Sequence, residues 1–296
     1  MNRHAYLIIA HNEPEILGTL LQLLDNPLND IFVHIDVRAV DVDAYVRKLE
    51  MRYATLHILA HPMAVYWGDI SQVEVELRLF ETALSAGPHA YYHLLSGVDL
   101  PLKSQEEIHE FFRLHQGKEF VGFWLDDRHQ RDLKRKVCRY HFFTKYFKGG
   151  PRWKHNLCAF VRNTCLALQK IVPLQRNQHL ELRKGYNWVS ISHDFCKYLL
   201  EHKAQILRRF KYTLCPDEIF LQTLLWNSPF KDKIYSMESA SEGSLRSIDW
   251  ERGNPYVWQA DDVAMLLESP YLFARKFSGN QMEAVTRIKN VLSHRE

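Results

Sequence analysis

Short apolar runs alternate with helix-like segments along the first 125 residues. Apolar runs bounded by polar residues predict strands, and apolar residues at helical spacing predict helices. The predicted strands are Tyr6–Ala10, Ile31–Ile35, His57–Leu59, Tyr91–Leu95 and Phe120–Trp124. The clearest helical segment between them is Ser71–Ser85. This alternation is typical of an α/β fold whose mostly parallel central sheet is covered by helices on both faces.

The pattern of the second half is more mixed, although it still predicts a strand over Trp188–Ile191. Apolar positions at helical spacing predict further helices. These are His193–Glu201, Asp217–Trp226, Asp261–Leu267 and Met282–Leu292, besides Asp41–Met51 and a helix capped by Ser104 in the first half. No long linker interrupts the chain. We therefore predict one domain over residues 1–296, with halves 1–125 and 157–296 on either side of an insertion, 126–156.

The insertion is strongly basic. Arg128–His155 contains ten lysines and arginines against the single acid Asp132, with tyrosine, phenylalanine and tryptophan interleaved. Such a stretch can bind anionic sugars, phosphates, a membrane surface or RNA, and it can also be only a solvated face. Gly149-Gly150-Pro151 predicts a break within it.

Composition narrows these alternatives. Lysine and arginine number 38 and aspartate and glutamate 35, so the net charge of +3 does not indicate a dedicated nucleic-acid-binding protein. No apolar run approaches the roughly 20 residues of a membrane span, and the first residues are a poor signal peptide. We expect a cytoplasmic protein. The five cysteines are widely spaced without a C-x-x-C, which favours reduced thiols over a disulfide framework or a zinc site.

Polar residues follow several predicted strands directly. His11-Asn12-Glu13 follows the first strand, Asp36 the second and Ser96–Asp99 the fourth. Each group alone could serve only to form a turn or to cap a helix. Because the carboxyl ends of parallel strands meet at one edge of the sheet, where ligands bind, the set predicts a single site there.

Common catalytic motifs are absent from the sequence, including G-x-G-x-x-G, G-x-x-x-x-G-K-[ST], H-E-x-x-H and G-x-S-x-G. A set of ordered strings is present instead. These are YLIIAHNEP (6–14), HID (34–36), YWGDISQV (66–73), LLSGVDLPL (94–102), YNWVSIS (186–192), PDEIFLQTLL (216–225), LRSIDW (245–250) and LFARKF (272–277).

In this order, the strings resemble the core-2/I-branching glycosyltransferases, a family that includes β-1,6-N-acetylglucosaminyltransferases and peptide O-xylosyltransferases. The resemblance runs from Tyr6 to Phe277 and weakens in the basic insertion. It implies a GT-A-like, Rossmann-like fold with a nucleotide-sugar-binding half over 1–125 and an acceptor and catalytic half over 157–296. It also implies UDP-GlcNAc or UDP-xylose as donor, inversion at the anomeric carbon and no cofactor or required metal.

The resemblance also implies roles for particular residues. Inverting transfer needs a base that takes the proton of the acceptor hydroxyl, and Glu218 in P-D-E matches the family's base. The donor residues implied are His11, Asn12, Asp36, Trp67, Ser71, Asp99, Arg275 and Lys276, with Lys276 on the diphosphate. Those expected toward the acceptor are Trp188, Asp217, Arg246 and Trp250. Arg246 is also the candidate for a second basic residue on the diphosphate.

Two acidic pairs keep a metal-dependent alternative open. Asp41-Val42-Asp43 is an Asp-x-Asp, but it opens a predicted helix, where acids commonly cap. Asp126-Asp127 follows the fifth predicted strand, so a metal-dependent GT-A transferase using this pair is the rival enzyme. A catalytically inactive protein that binds glycans or nucleotides is the rival outside enzymes, although pure binding needs no base.

The sequence thus predicts an inverting, metal-independent transferase that moves GlcNAc or xylose to a hydroxyl of a glycan or lipid-linked acceptor. The chain begins directly at its first strand, without the membrane anchor of animal members, which fits a bacterial-type enzyme of polysaccharide biosynthesis. We expect Arg128–His155 to hold an anionic acceptor or to contact the inner membrane face peripherally, and we expect no nucleic-acid partner.

Overall fold

A computed structural model describes residues 2–146, 152–171, 176–177 and 180–293, without the side chains of residues 127 and 128. The predicted break at Gly149–Pro151 lies outside the described residues. In chain order the strands are β1 His4–Ala10, β2 Asn29–Ile35, β3 Thr55–Ile58, β4 Tyr91–Ser96, β5 Asp99–Pro101, β6 Ser190–Ser192, β7 Arg246–Ile248 and β8 Phe273–Arg275. The α-helices are α1 Pro14–Leu23, α2 Val40–Val46, α3 Ser71–Ala86, α4 Gln105–Leu114, α5 Asp127–Val137, α6 Arg152–Ile171, α7 His193–Glu201, α8 Lys203–Phe210, α9 Phe220–Trp226, α10 Ala240–Ser244, α11 Val263–Glu268 and α12 Met282–Ser293.

The central sheet has the strand order β3-β2-β1-β4-β6. Strands β1 to β4 are parallel, and the edge strand β6 is antiparallel to β4. The predicted α/β architecture with a mostly parallel sheet is confirmed. Its register places the ends of β1, β2 and β4 side by side, since Ile9 pairs with both His34 and Ser96.

Burial of β1 on both faces explains its continuous apolar sequence. Tyr6, Ile8 and Ala10 pack into the core beneath helices α1 and α12, whereas Ala5 and Leu7 pack into the core on the side of α3 and α7. Side chains of a strand alternate between faces, so one apolar run supplies both cores. The strand ends are thereby fixed between two packed layers.

A second, three-stranded sheet lies beyond β4, in the order β5-β8-β7. Its strand β8 pairs antiparallel with β5 through Asp99 and Arg275, and parallel with β7 through Ile248 and Arg275. The small sheet therefore places Arg275, from the C-terminal part of the chain, next to the turn that follows β4.

The predicted strand Phe120–Trp124 is wrong. Only isolated bridges form here, the second joining Phe120 to Ser190, and the rest of the segment is irregular. The segment is buried between two other backbone stretches: a Cβ on Gly122 would lie 2.3 Å from the Ala240 carbonyl oxygen, and a Cβ on Gly185 would lie 1.8 Å from the Gly122 carbonyl oxygen. Its apolar pattern reflects burial by loops, which the sequence does not distinguish from a sheet.

Two predicted helices also differ from the structure. The helix expected over Asp217–Trp226 is interrupted: Pro216–Glu218 forms a 3₁₀ turn, and α9 begins only after Ile219. Helix α2 ends at Val46, short of the expected Met51. By contrast, the capping box at Ser104 is confirmed, with Glu107 bonded reciprocally to it.

The basic insertion contains helix α5, the 3₁₀ turn Thr144–Tyr146 and the first residues of helix α6, which continues to Ile171. The boundaries proposed for it and for the two halves stay a prediction. Among the helices that the structure describes, none combines the length and apolar character needed to cross a bilayer.

Candidate active site

A cleft of about 280 Å³ opens at the carboxyl ends of the central strands, where the sequence predicted a site. We call it the strand-end cleft. It is bounded by His11, Asp36, Arg38, Glu76 and Ser96. These side chains come from the ends of β1, β2 and β4 and from helix α3.

A second cleft of about 420 Å³ adjoins the first. We call it the aromatic cleft, and it is bounded by Trp124, Tyr186, Asp217, Glu218 and Trp250. The two clefts share a wall formed by Trp67, Gln72, Asn187, Trp188 and Arg275. The two clefts are therefore direct neighbours.

Asp36 is a fixed, ionised carboxylate in the strand-end cleft. It accepts hydrogen bonds from Arg38 Nε at 2.8 Å, from Arg38 Nη2 at 2.6 Å and from the Val65 backbone N–H at 2.8 Å. Burial alone would raise its pKa, but these bonds lower the pKa of Asp36 to about 2. The Arg38 guanidinium also lies 4.7 Å from the centre of the Tyr66 ring. The pair is a rigid polar edge for a hydrogen-bonding ligand.

Arg275 supplies the cation in the shared wall. Its Nη1 donates to Asp99 Oδ1 at 2.8 Å and also to Ser96 Oγ, and its guanidinium lies 4.6 Å from the centre of the Trp188 ring. Asp99 is buried and also accepts from the Ser96 backbone N–H at 2.9 Å. A guanidinium has five N–H donors, so several remain for an anionic ligand after these contacts.

Two buried carboxyl groups, those of Glu76 and Asp217, lie next to the shared wall. Burial, followed by the charge of Asp217, raises the pKa of Glu76 well above its usual range. Burial, followed by the charge of Glu218, raises the pKa of Asp217, whose Oδ2 accepts from Gln72 Nε2 at 3.2 Å. Both groups are therefore held toward their neutral forms.

Glu218 faces the aromatic cleft and is held by two lysines. Lys184 Nζ lies 3.1 Å and Lys136 Nζ 3.7 Å from its Oε2 atom. Both ammonium groups also contact Asp132 Oδ2, at 3.4 Å and 3.1 Å. About a quarter of the Glu218 side chain stays exposed, 26%. The lysines fix the direction of the carboxylate while leaving part of it open to a ligand.

Aromatic rings form the rest of this cleft. The ring centres of Trp124 and Tyr186 are 5.4 Å apart, and Trp250 lies 6.5 Å from the first and 6.3 Å from the second. Trp250 is 45% exposed. Such a surface suits a ligand with alternating apolar and hydroxyl faces, because rings cover C–H groups and leave hydroxyls free to bond.

The structure brings many of the residues expected from the sequence together at these clefts: His11, Asp36, Trp67, Trp188, Asp217, Glu218, Trp250 and Arg275. Asp99 and Ser71 are buried behind them. Asp99 holds Arg275, and Ser71 Oγ accepts from the Tyr66 backbone N–H at 3.0 Å. These two residues shape the site through their neighbours.

Three expected residues do not reach the clefts. Arg246 is fully buried and donates to the Ser244 and Val189 carbonyls and to Ser190 Oγ, and its contact with a ligand stays a prediction. Among the described residues, neither Asn12 nor Lys276 lines either cleft. Burial lowers the pKa of Arg246 to about 9.

The acidic pairs considered for a metal lie elsewhere. Asp126 is the N-cap of α5, accepting from the His129 backbone N–H at 3.0 Å. The side chain of Asp127 lies outside the described part of the chain. Asp43 pairs with Arg47 at 2.7 Å on α2. Among the side chains that the structure describes, no group of three or more His, Cys, Asp or Glu is arranged to hold a metal ion.

Sequence reasoning missed Arg38, Gln72, Glu76, Lys184 and Asn187. Gln72 and Glu76 stand four residues apart on α3, the spacing that puts two side chains on one helix face. Glu76 lies among the buried residues of that helix. In the sequence, the position of a charged residue, Glu76, on the apolar face of a helix was the signal that could have pointed to it. The sequence holds no comparable signal for Lys184, whose partners Asp132 and Glu218 are distant along the chain.

The fold and the clefts define an α/β enzyme with a carboxylate and a cation at the carboxyl ends of its strands. A family model described as Core-2/I-branching enzyme matches residues 4–264. The chain belongs to this family. The resemblance seen in the sequence strings is confirmed, and with it the expectation of an enzyme.

Curated relatives match most of the chain at low identity. Xylosyltransferase 2 of Canis lupus familiaris is 24% identical over 311 residues, covering 97% of this chain and 33% of the relative. N-acetyllactosaminide β-1,6-N-acetylglucosaminyl-transferase of Homo sapiens is 24% identical over 310 residues, covering 99% of this chain and 72% of the relative. The chain spans about a third of the length of the xylosyltransferases it matches.

Among solved structures, mouse xyloside xylosyltransferase 1 in its apo form aligns with a TM-score of 0.41 and 12% identity. The alignment covers 94% of this chain and 99% of that one.

Proposed function

We propose that this protein is an inverting glycosyltransferase that moves GlcNAc or xylose from a UDP-sugar to a hydroxyl of a glycan or lipid-linked acceptor, without a metal. The names of the relatives, a xylosyltransferase and an N-acetylglucosaminyltransferase, support these two sugars. The observation that carries the proposal is the position of Glu218: it lines the aromatic cleft beside the wall that this cleft shares with the strand-end cleft.

The strand-end cleft is the proposed donor site. Asp36 and His11 would bind the nucleoside, since a fixed carboxylate accepts hydrogen bonds from uracil or ribose. Arg275 would face the diphosphate, where charge-assisted hydrogen bonds to phosphate oxygens are strong. Asp99 holds this guanidinium in place and is a positioning residue. The family resemblance adds Lys276 as a second cation.

The aromatic cleft is the proposed acceptor site. The rings of Trp250, Trp124 and Tyr186 would stack on the acceptor sugar, and Glu218 would accept a hydrogen bond from its hydroxyl. Lys184 and Lys136 orient the carboxylate toward that hydroxyl. Burial and the charge of Glu218 raise the pKa of the neighbouring Asp217, so Asp217 adds less negative charge beside the base than an exposed aspartate would.

The reaction then follows from these positions. The acceptor oxygen bonds to the anomeric carbon while its proton passes to a Glu218 oxygen. The bond from that carbon to the β-phosphate oxygen breaks, and UDP leaves with the bonding electrons. Attack from the face opposite the leaving group inverts the configuration. Arg275 offsets the charge that develops on the diphosphate.

A screen of UDP-sugars tests this function. Purified protein is incubated with UDP-GlcNAc, UDP-xylose, UDP-glucose or UDP-galactose, in EDTA and in manganese, and the UDP released as each sugar is slowly transferred to water is measured. We expect turnover of UDP-GlcNAc or UDP-xylose at equal rates in EDTA and manganese. Activity that is lost in EDTA and restored by manganese would establish a metal-dependent transferase. Calorimetric binding of UDP without turnover of any sugar would indicate an inactive binding protein.

A further inference from the structure

Helix α6, Arg152–Ile171, exposes an apolar stripe. Its large exposed hydrophobic side chains are Trp153, Leu157, Phe160, Leu168 and Ile171. At 3.6 residues per turn these five lie within an arc of about 80°, over a helix about 30 Å long. Trp153, Phe160 and Ile171 are 65%, 70% and 79% exposed. Among described residues, five of the fifteen large exposed hydrophobic side chains therefore lie on one side of this helix, with the exposed Thr164 between Phe160 and Leu168.

The opposite face of α6 attaches it to the protein, and on that face polar contacts lie beside the half-buried apolar side chains of Cys158 and Leu166. His155 Nδ1 bonds the Tyr146 carbonyl at 3.1 Å, and Arg162 is buried. Gln169 accepts from the Tyr140 backbone N–H at 2.7 Å and donates to the Tyr140 carbonyl at 3.0 Å. These residues are seven apart, so they share one side of the helix. Surface helices of soluble proteins ordinarily turn their large apolar side chains toward the core, whereas α6 exposes five of them.

The charged residues of α6 indicate which kind of surface its exposed apolar stripe would bind. The helix contains Arg152, Lys154, Arg162 and Lys170 but no aspartate or glutamate. By the same helical angle, Lys154 lies on one flank of the stripe, and Arg152 and Lys170 on the other. A tryptophan, phenylalanine and leucine face bordered by basic residues is the composition of helices that lie in the headgroup region of a membrane.

We propose that α6 binds the surface of an anionic lipid bilayer, with its stripe inserted at the boundary between headgroups and acyl chains. Two copies of the chain would instead bring their flanking cations together without acids on α6 to pair them, which disfavours a dimer through this face. The basic excess of 128–155 adds attraction to anionic lipid. The membrane-facing residues thus continue beyond the segment singled out by the sequence, as far as Ile171. This inference does not depend on the proposed transferase activity.

The test is co-sedimentation of the full chain with vesicles of phosphatidylcholine alone or mixed with phosphatidylglycerol, at low and high salt. We expect pelleting with the mixed vesicles, reduced by salt and weak with phosphatidylcholine alone. Leu157→Glu with Phe160→Glu should lower the partition coefficient by at least roughly tenfold, because each removes a large apolar group from the bilayer. Both side chains are exposed, so thermal unfolding of the variant should match the wild type.

A matched control is Leu114→Glu with Met265→Glu, which makes the same chemical change at exposed positions on α4 and α11. This control should pellet like the wild type. Failure of the wild type to pellet with anionic vesicles, or equal pelleting of both double variants, would overturn the proposal. So would a wild-type dimer in solution that the Leu157→Glu, Phe160→Glu variant converts to a monomer, since the stripe would then cover a second copy.

Discussion

The two clefts are built in different ways, although they share a wall. In the strand-end cleft, each charged side chain is locked by a partner: Asp36 by Arg38, and Arg275 by Asp99 and Ser96. In the aromatic cleft the surface is made by rings, including the exposed Trp250. Its charged side chains are Glu218, which contacts two lysines, the buried Asp217 and Arg275 of the shared wall.

This difference matches the demands of two kinds of ligand. A nucleoside diphosphate carries charged phosphate groups each time it binds. Polar side chains that are already held in position bind such a ligand best. A sugar acceptor offers mainly hydroxyls and C–H faces, which aromatic rings bind with little directional demand. The strand-end cleft should therefore be sensitive to single charge changes, and the aromatic cleft tolerant except at Glu218.

Replacing the base should have the largest effect. Glu218→Gln keeps the shape of the side chain but cannot take a proton, so we expect kcat to fall by about 10²–10⁴-fold. UDP affinity, measured by calorimetry, should change little because Glu218 lies in the other cleft. Glu251→Gln, an exposed neighbour of Trp250, is the control and should keep wild-type turnover. Turnover of Glu218→Gln within a few-fold of wild type would remove it from the role of base.

The next largest effect should come from the shared wall. Arg275→Ala removes charge-assisted hydrogen bonds, each worth about 1.5–3 kcal/mol, so we expect UDP to bind roughly 10- to 100-fold more weakly. Lys276→Ala should also weaken UDP binding, but less, because Lys276 does not line either cleft in the described part of the chain. Arg287→Ala, exposed on α12, serves as control. A larger loss for Lys276→Ala would instead put the diphosphate where the family resemblance places it.

Removal of a ring from the aromatic cleft should weaken binding of the acceptor but not of UDP. Trp250→Ala removes a stacking surface, so we expect the acceptor KM to rise about tenfold while UDP affinity and kcat at saturating acceptor stay close to wild type. Trp153→Ala, on α6, removes the same ring away from both clefts and should leave the acceptor KM in solution unchanged. A Trp250→Ala variant that loses UDP affinity to the same degree as acceptor affinity would contradict the separation of the two sites.

The smallest effect should be on protein stability, through the buried carboxyl group of Glu76. The pKa of Glu76 is raised by burial, so the unfolded chain loses this proton at lower pH than the folded protein does. The contribution of Glu76 to wild-type stability should therefore fall as pH rises above about 4.5, the ordinary pKa of a glutamate. Glu76→Gln removes this term, and its free energy of unfolding relative to wild type should increase from pH 5 to pH 8 in urea titrations. Exposed Glu50→Gln should show no such trend. A pH-independent difference for Glu76→Gln would show that Glu76 is ionised in the folded protein.

Much of the fold could be predicted because its signals are local. The run Tyr6–Ala10 is apolar on both faces, which only a central strand explains well, and Ser104 with Glu107 forms the expected cap. The strand Phe120–Trp124 could not be judged in this way, since loops bury it as completely as a sheet would. Likewise, the helical spacing of Asp217–Trp226 did not reveal the 3₁₀ turn that positions Glu218.

The sequence by itself determined the family of this protein and the place of its clefts: its ordered strings identify the family, and its polar strand ends predict the edge of the sheet where the clefts lie. Tertiary structure alone decided which charges meet. Lys184 reaches Glu218, and Arg275 reaches Asp99 across 176 positions of the chain, whereas Arg246 is enclosed by the core. The reason is physical: strand and helix periodicity are set by neighbours along the chain, but ion pairs depend on distances in space that no local pattern encodes.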